Sequence, residues 1–267
     1  MTTKKALVVG CSLTSGYKMT AGHDNPDHPR LWSNQLLSKL DDFEIINRSK
    51  TGFNNHWIFM EAMSALIQDH YDLVLIQWTG LGRILLPVGL ELYDTYTNMT
   101  NGVDINLVND TIVPGKWLLD VGDRLKSFSN LHWDILNIVR YVNILIQIQQ
   151  LKKSKICFVD LGLQWSPGYF EKKSITKPSE LSKFEQHILA VEHRDDSEIF
   201  DLYNMIHNQY QDYGNIQTDN WLNLYQYQSY DSWKVDTIAP DDFHPGYLSQ
   251  DILVQCLWPA LNEYYRK

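Results

Sequence analysis

The stretch that decides the fold lies close to the first residue and reads ALVVGCSLTSG, residues 6–16. Its apolar half, Ala6–Val9, has the composition of a short buried strand, and Gly10 ends that strand. A polar segment follows, after which apolar residues recur at the spacing of one helix face: Trp32, Leu36, Leu37 and Leu40. Residues 6–40 are therefore predicted to form a strand, a loop and a helix, in that order.

The same alternation of apolar runs and helical spacing continues along the chain. It predicts four further strands at Phe43–Ile46, Asp72–Trp78, Lys155–Leu161 and Glu198–Tyr203. It predicts four further helices at Asn54–Gln68, Trp133–Leu151, Leu181–Glu192 and Gly246–Tyr265. The third strand is almost wholly apolar, as expected for a strand buried on both faces of a sheet. Strands that alternate with helices are typical of an α/β protein with a parallel sheet.

One long segment interrupts this alternation. From residue 81 to about residue 126 the pattern loosens into a stretch rich in Tyr, Asn and Gly. A connection of this length is uncommon in a compact domain and is often functional. We therefore predict a single domain, residues 1–267, with an insertion at about 81–126.

Charge and cysteine content exclude several classes of protein. The chain carries 32 acidic and 23 basic residues, a formal net charge of −9, which opposes binding driven by the neutralisation of nucleic-acid phosphates. No run approaches the ~18 apolar residues of a membrane span, and no signal-peptide core is recognisable, so we expect a cytoplasmic protein without a membrane span. The 3 cysteines contain no CxxC pair, which supports neither a disulfide framework nor a zinc site.

The loop after the first predicted strand contains a candidate nucleophile, Ser12. The carboxyl end of a parallel strand forms the usual rim of an active site, and backbone N–H groups there can stabilise an oxyanion. A phosphate-binding loop is excluded because the spacing from Gly10 to Gly16 is one residue longer than that motif allows. An ordinary turn rich in serine and glycine is the alternative interpretation.

A second candidate motif, Asp241-Asp242-Phe243-His244-Pro245, lies just before the last predicted helix. A carboxylate three residues ahead of a histidine can bond one ring nitrogen and leave the other to accept a proton from a nucleophile. We therefore predict that His244 is a general base and that Asp241, rather than Asp242, orients it. The alternative is that the aspartates only favour the positive end of the helix dipole.

Together these two segments resemble the SGNH hydrolases, also called GDSL-type esterases. The family's first block, Gly-Asp-Ser-Leu, corresponds to Gly10–Leu13, and its last block, Asp-x-x-His-Pro, corresponds to Asp241–Pro245. The resemblance implies a flavodoxin-like three-layer α/β/α fold with about five parallel strands. It also implies a triad of Ser12, His244 and Asp241 that acts on a small ester or O-acetylated carbohydrate, with no metal and no cofactor.

The resemblance also implies an oxyanion hole. Ser12 and Gly52, which follows the second predicted strand, are expected to supply backbone N–H groups. The family's third block carries an asparagine donor, and Thr79 stands at that position here. The missing donor is expected either from the Thr79 hydroxyl or from one of three side chains: Asn54, Asn55 or Arg83.

Other interpretations of these residues stay open. Cys11 replaces the family's aspartate beside the nucleophile, and a Cys/His nucleophile pair is an alternative to Ser12. Residues 23–28 include metal-ligand residue types without a recognised spacing, and we favour a hydrated loop. The aromatic residues between Tyr210 and Trp233 line a pocket or, as we favour, pack an irregular segment.

An alternative function is that of an acyltransferase, which uses the same acyl-serine chemistry but delivers the acyl group to a sugar hydroxyl. The loss of the third-block asparagine is equally compatible with a catalytically weak binding protein of the same fold. Ester hydrolysis is the function we favour.

Overall fold

The computed structural model describes the parts of the chain that carry the sheet and the candidate site. These parts are residues 3–17, 19, 24–40, 42–79, 83–88, 91–96, 131–161, 220–223, 233–238 and 244–267.

The described residues form seven strands and four helices. The strands are β1 (Lys4–Val9), β2 (Phe43–Asn47), β3 (Leu73–Gln77), β4 (Arg83–Val88), β5 (Glu91–Tyr96), β6 (Lys155–Asp160) and β7 (Trp221–Asn223). The helices are α1 (Trp32–Leu37), α2 (Asn55–Gln68), α3 (Leu131–Lys152) and α4 (Tyr247–Arg266). None of the helices in the described part of the chain is long and apolar enough to cross a membrane.

Five of the strands form one parallel sheet in the order β2-β1-β3-β6-β7. Counted within the sheet alone, this order is 2-1-3-4-5, the flavodoxin-like arrangement of a doubly wound α/β fold. The prediction of a parallel α/β sheet of about five strands is confirmed. The strand order also makes β1 the neighbour of both β2 and β3.

Helices cover both faces of the sheet. The connection from β1 to β2 runs in the opposite direction along the sheet to the connection from β2 to β3. Because such crossovers are right-handed, α1 and α2 lie on opposite faces. Helix α1 packs against α4, and α2 packs against α3, which gives three layers.

The core is centred on β1 and β3. Residues Ala6–Val9 and Leu73–Ile76 have no exposed surface. Each fully buried aliphatic side chain contributes about 1.5–3 kcal/mol relative to an exposed one, so these two strands anchor the fold. Their carboxyl ends, and the loops that begin there, are therefore held in fixed positions.

The predicted insertion contains a separate two-stranded sheet. Strands β4 and β5 pair in the antiparallel sense, with Arg83 opposite Tyr96 and Val88 opposite Glu91. This hairpin shares no strand with the parallel sheet. The rest of the segment to residue 126 lies outside the described residues, and the single domain with an insertion stays a prediction.

The fifth strand of the sheet is not the one expected from the sequence. Strand β7, Trp221–Asn223, pairs with β6, whereas the predicted strand Glu198–Tyr203 and the predicted helix Leu181–Glu192 lie outside the described residues. A strand of 3 residues is too short to show a period, which is why the sequence did not reveal it. Trp221 and Trp233 are buried in the core, in agreement with the packing interpretation of the aromatic segment.

Candidate active site

Three of the predicted site residues lie at one edge of the sheet. Ser12 follows β1, Gly52 follows β2 and Thr79 follows β3. These three strands are adjacent and parallel, so the loops that leave their carboxyl ends converge. The topology therefore brings Ser12, Gly52 and Thr79 to one rim.

Ser12 lies in a tight helical turn. The N–H groups of Thr14 and Ser15 both donate to the carbonyl of Cys11, over 2.9 and 3.0 Å. The Ser12 side chain is largely buried, at 6% exposure, and its hydroxyl makes no hydrogen bond to any other described residue. The turn begins at Gly10, where a side chain would not fit. A Cβ there would lie 2.8 Å from the Gln77 side chain and 2.9 Å from that of Thr14.

The side chain of Gln77 connects the end of β3 to the Ser12 turn. Its Oε1 accepts hydrogen bonds from Cys11 N (3.1 Å), Cys11 Sγ (3.3 Å) and Thr14 Oγ1 (2.9 Å). Its Nε2 donates to the carbonyl oxygen of Trp78. Gln77 has no exposed surface, so these bonds form without competition from water.

The second loop forms a turn around Gly52, whose φ is +88°. Non-glycine residues adopt this left-handed region only at a cost, so the turn requires glycine. Phe53 N donates to Lys50 O over 3.3 Å, and Lys50 N donates to Gly10 O over 3.2 Å, which joins this turn to the Ser12 turn. The Gly52 N–H donates to no other described residue, so it is available to a ligand.

Asp24 ties the same two turns together. Its carboxylate accepts from the Ser15 hydroxyl (2.7 Å), the Thr51 hydroxyl (2.5 Å) and the Thr51 N–H (3.1 Å). The two hydroxyl oxygens also lie 3.2 Å apart, within hydrogen-bond distance. This carboxylate therefore acts as a structural clamp between the first and second loops.

The third loop is held by Asn55, the first residue of α2. The Asn55 amide donates to Thr79 O over 3.0 Å and accepts from Thr79 N over 2.8 Å. The preceding residue, Asn54, caps the helix by accepting from Trp57 N over 2.8 Å. Asn55 uses both ends of its amide on the Thr79 backbone and thereby positions that residue.

Of the remaining donor candidates, Thr79 and Asn54 stay available by geometry. Thr79 is 2% exposed and Asn54 is 4% exposed, so each side chain lies in a largely dry environment. The Asn54 oxygen is occupied by the helix cap, but the nitrogen of an amide is a separate donor. The side chain of Arg83 lies outside the described part of the structure.

His244 contacts the loop that contains Ser12. Its imidazole meets the ring of Tyr17 edge to face, with centroids 4.8 Å apart and an interplanar angle of 62°. Tyr17 belongs to the loop that starts at Ser12, so residues separated by more than 200 positions are in contact. Asp241 and Asp242 lie outside the described residues, so the predicted orienting carboxylate stays a prediction.

A chain of buried hydrogen bonds links the His244 segment to the Ser12 turn. Trp32 Nε1 donates to Leu13 O over 3.2 Å, and Trp32 N donates to Gln250 Oε1 over 2.8 Å. Gln250 Nε2 in turn donates to Pro245 O over 3.5 Å. We name this chain the Trp32–Gln250 link. It connects Leu13, the residue after Ser12, to Pro245, the residue after His244, through α1 and α4.

Asp236 fixes the other side of the histidine segment. Residues Thr237 and Pro245 form an antiparallel bridge, and Gly246 N donates to Asp236 O over 2.9 Å. The Asp236 carboxylate accepts from Leu248 N (3.0 Å), Ser249 N (2.8 Å) and Ser249 Oγ (2.5 Å). Helix α4 thus begins at a glycine without a capping side chain, and a residue ten positions upstream caps it instead.

The same contacts change the acidity of Asp236. Partial burial opposes its ionisation, but the hydrogen bonds from Ser249 and Leu248 and the charge of Arg30 favour the carboxylate. The net effect lowers the pKa of Asp236 below its ordinary value. The carboxylate form is therefore the one that the folded protein stabilises at the start of α4.

The geometry describes residues from two alternative interpretations of the sequence, the Cys11 nucleophile and the metal-ligand segment. Cys11 is 1% exposed, and its thiol donates to Gln77 Oε1 over 3.3 Å. In the segment with metal-ligand residue types, Asp24 bonds two hydroxyls and His28 stacks on Tyr247 with centroids 5.6 Å apart. Among the residues that the structure describes, no group of three or more His, Cys, Asp or Glu side chains is arranged to hold a metal ion.

Sequence reasoning missed the two residues that organise the site from a distance, Gln77 and Asp236. For Gln77 a signal was present, because a buried amide ending an otherwise apolar strand requires partners. For Asp236 the sequence carried no such signal, since its partners lie beyond the bridge between Thr237 and Pro245.

Comparisons with known proteins add structural relatives only. No family model and no curated protein matches the chain. Among solved structures, it is similar to a psychrotrophic esterase, EstA, from Pseudoalteromonas sp., with 11% identity, 99% of this chain and 100% of that chain covered, and a TM-score of 0.48. It is also similar to TesA (14% identity, 98% and 99% covered, TM-score 0.46) and to a carbohydrate acetylesterase family member from Sinorhizobium meliloti (12%, 98% and 100%, 0.46). A further similar structure, from Veillonella parvula, is described as a member of the lipolytic G-D-S-L family, the family that the motifs resemble (10%, 99% and 100%, 0.45).

Proposed function

We propose that this chain is a divergent SGNH-type serine hydrolase that cleaves a small ester or the O-acetyl group of a carbohydrate. The observation that carries the proposal is the meeting of two distant segments at one rim of the sheet. Tyr17, in the Ser12 loop, packs against His244, and the Gly52 turn is hydrogen-bonded to the residue that begins the Ser12 turn. A nucleophile, a base and backbone donors are the components that acyl transfer requires.

In the proposed reaction, the Ser12 hydroxyl attacks the ester carbonyl while His244 removes its proton. Asp241 holds the imidazole in the tautomer that leaves one nitrogen free to act. The tetrahedral intermediate collapses when His244 returns the proton to the leaving alcohol, and an acyl-serine remains. Water then repeats the sequence, with His244 as base again, and releases the acid.

The negative charge on the intermediate falls near the rim formed by the Ser12 and Gly52 turns. Their two N–H groups, with the Thr79 hydroxyl or the Asn54 amide as a third donor, form the proposed oxyanion hole. Each donor of this kind contributes about 2.7–4 kcal/mol to transition-state stabilisation because it is oriented before the charge appears. Asp24 accepts from Thr51 N and Asn55 accepts from Thr79 N, and these hydrogen bonds supply that orientation.

The test compares wild type, Ser12→Ala and Ser154→Ala on short-chain aryl esters and O-acetylated sugars. Ser154 is a matched control, because it is buried and its hydroxyl bonds no partner in the described part of the chain. We expect Ser154→Ala to keep wild-type turnover and Ser12→Ala to lose at least three orders of magnitude, roughly the contribution of a nucleophile. A fluorophosphonate should label wild type on Ser12, as located by peptide mapping.

Label on Ser15 or Cys11 would refute the assignment of Ser12. A wild type with neither turnover nor label would favour the catalytically weak binding protein over the esterase. Adding a sugar acceptor separates hydrolysis from acyl transfer, because only a transferase converts the acceptor into an acylated sugar.

A further inference from the structure

We propose that Gln77 is a positioning residue that sets the conformation of the Ser12 turn and thereby the aim of the nucleophile. The inference deepens the proposed function and rests on Ser12 being the nucleophile. The sequence motifs assign no role to Gln77, which stands at the first position of the third block, two residues before Thr79.

Several hydrogen-bond donors of the Ser12 turn meet at one atom, Gln77 Oε1. Three donors from two residues of the turn, Cys11 and Thr14, converge on Gln77 Oε1 within 3.3 Å. A carbonyl oxygen has two lone pairs, so this acceptor is fully used. Ser12 lies between the two residues that are held, and its backbone cannot rotate without breaking one of these bonds.

Hydrogen bonds at both ends of the Gln77 amide fix its orientation. Gln77 Nε2 donates to Trp78 O, so the oxygen must face the turn. A flipped amide would present its NH₂ group to three donors and its oxygen to a carbonyl, leaving buried polar groups unsatisfied. The amide therefore has one favourable orientation and transmits the position of β3 to the turn.

The Gln77 side chain also lies very close to the backbone of Gly10. The space that a Cβ on residue 10 would need is occupied by Gln77 Oε1, at 2.8 Å. Gly10 and Gln77 are thus complementary: the missing side chain admits the amide that holds the next residues. The glycine of the first block has, in this chain, a packing partner from the neighbouring strand.

A merely structural role is separated from a positioning role by a matched control, Gln149. Its Oε1 also accepts three hydrogen bonds, from Ile156 N (3.0 Å), Asn220 Nδ2 (3.1 Å) and Tyr264 OH (3.4 Å). Ile156 lies at the amino end of β6, so Gln149 serves the opposite edge of the sheet. Gln77→Met and Gln149→Met each remove one triple acceptor while keeping a side chain of similar length.

In steady-state kinetics, we expect Gln77→Met to lower kcat by ~10²-fold with little change in KM, the size of effect expected when a reacting group is misplaced by about 1 Å. Gln149→Met should lose thermal stability but keep kcat within roughly twofold of wild type. If Gln77→Met does not fold, Thr14→Val removes one of the three donors and should lower kcat several-fold. Equal kcat for wild type and the Gln77 or Thr14 variant would overturn the proposal.

Gln77→Glu gives a readout that a structural role would not move. A buried carboxyl has a raised pKa. Its protonated form reproduces the amide pattern, with an oxygen towards the turn and an O–H towards Trp78 O. Its ionised form opposes the charge on the oxyanion. The pH profile of kcat should therefore gain a descending limb on the alkaline side, which Gln149→Glu should lack while both proteins remain folded by circular dichroism; an unchanged profile would count against Gln77.

The reactivity of Cys11 tests the hold on the turn without any enzymatic activity. We expect iodoacetamide to alkylate Cys11 at least tenfold faster in Gln77→Met than in wild type or Gln149→Met, with the partly exposed Cys256 as reference. Cys157 stays slow in all three, because complete burial raises the pKa of its thiol. A wild type without turnover or label defeats the proposed function alone, whereas unchanged Cys11 protection in Gln77→Met defeats the role of Gln77.

Discussion

Asp236 lies outside α4 and caps the start of that helix, so replacing it by alanine removes the cap. The substitution deprives two backbone N–H groups, those of Leu248 and Ser249, of their acceptor and leaves the Ser249 hydroxyl without this partner. Loss of a helix cap costs about 0.5–2 kcal/mol, and loss of a negative charge at a helix N-terminus costs a further ~0.3–1 kcal/mol. We therefore expect a destabilisation of ~1–3 kcal/mol, or roughly 2–4 °C in Tm for each kcal/mol in chains of comparable size.

The charge contribution has a predictable dependence on pH, which Asp236→Asn isolates. The pKa of Asp236 is lowered in the folded protein, so folding favours the carboxylate. Its contribution to stability is therefore fully present above the unfolded value of about 3.9 and disappears as the pH falls through the folded value. The difference in Tm between wild type and Asp236→Asn should be largest near neutral pH and should shrink in acid.

The assay is thermal unfolding followed by circular dichroism from pH 7 down to the lowest pH at which both proteins fold. Asp27→Asn is the matched control, since it makes the same change of charge at an exposed carboxylate. We expect Asp27→Asn to follow wild type at every pH. A gap between wild type and Asp236→Asn that stays constant or widens in acid would refute the linkage between this carboxylate and α4.

Three further changes test the rim directly. If the Thr79 hydroxyl is an oxyanion donor, Thr79→Val should lower kcat by ~10²-fold with little change in KM, whereas a silent Thr79→Val beside a damaging Asn54→Ala would move the donor to the second loop. Asn55→Ala removes both hydrogen bonds to the Thr79 backbone and should cost about 1–3 kcal/mol in urea unfolding; a loss below the error of that measurement would show that the Thr79 loop does not depend on Asn55. Asp241→Asn should reduce turnover by ~10⁴-fold while the same change at Asp242 stays mild, and equal losses would leave Asp241 without its assigned role.

Local patterns in the sequence were sufficient to predict the central part of the fold. The apolar run of β3 and the helical spacing of α2 depend on residues that are near neighbours in the chain. Both patterns can therefore be recognised without tertiary information. Alternation of such elements then implies a parallel sheet, and the rule that loops meet at the carboxyl edge places Ser12 beside Gly52. These parts of the site were predicted because each depends on its own strand.

Contacts between distant segments could not be predicted in the same way. Gln77 accepts a hydrogen bond from Cys11, 66 positions away in the sequence. No pattern in either segment indicates that the two residues interact. Strand β7 was missed because its 3 residues owe their pairing to β6 and not to a pattern of their own. For the start of α4 the sequence offered only Asp241 and Asp242, as the alternative to their predicted role beside His244, since it gives no sign that Asp236 returns to the helix over an intervening bridge.

The Trp32–Gln250 link makes the order of folding part of how the site is assembled. Gln250 belongs to the last helix, so the bonds that join the Ser12 turn to the His244 segment cannot form until that helix has docked on α1. A chain in which only the first three strands have condensed would hold Ser12 in its turn but would not yet have the His244 segment beside it. During refolding, the sheet should therefore appear before the reactivity proposed for Ser12, and the interval between the two should measure the docking of α4.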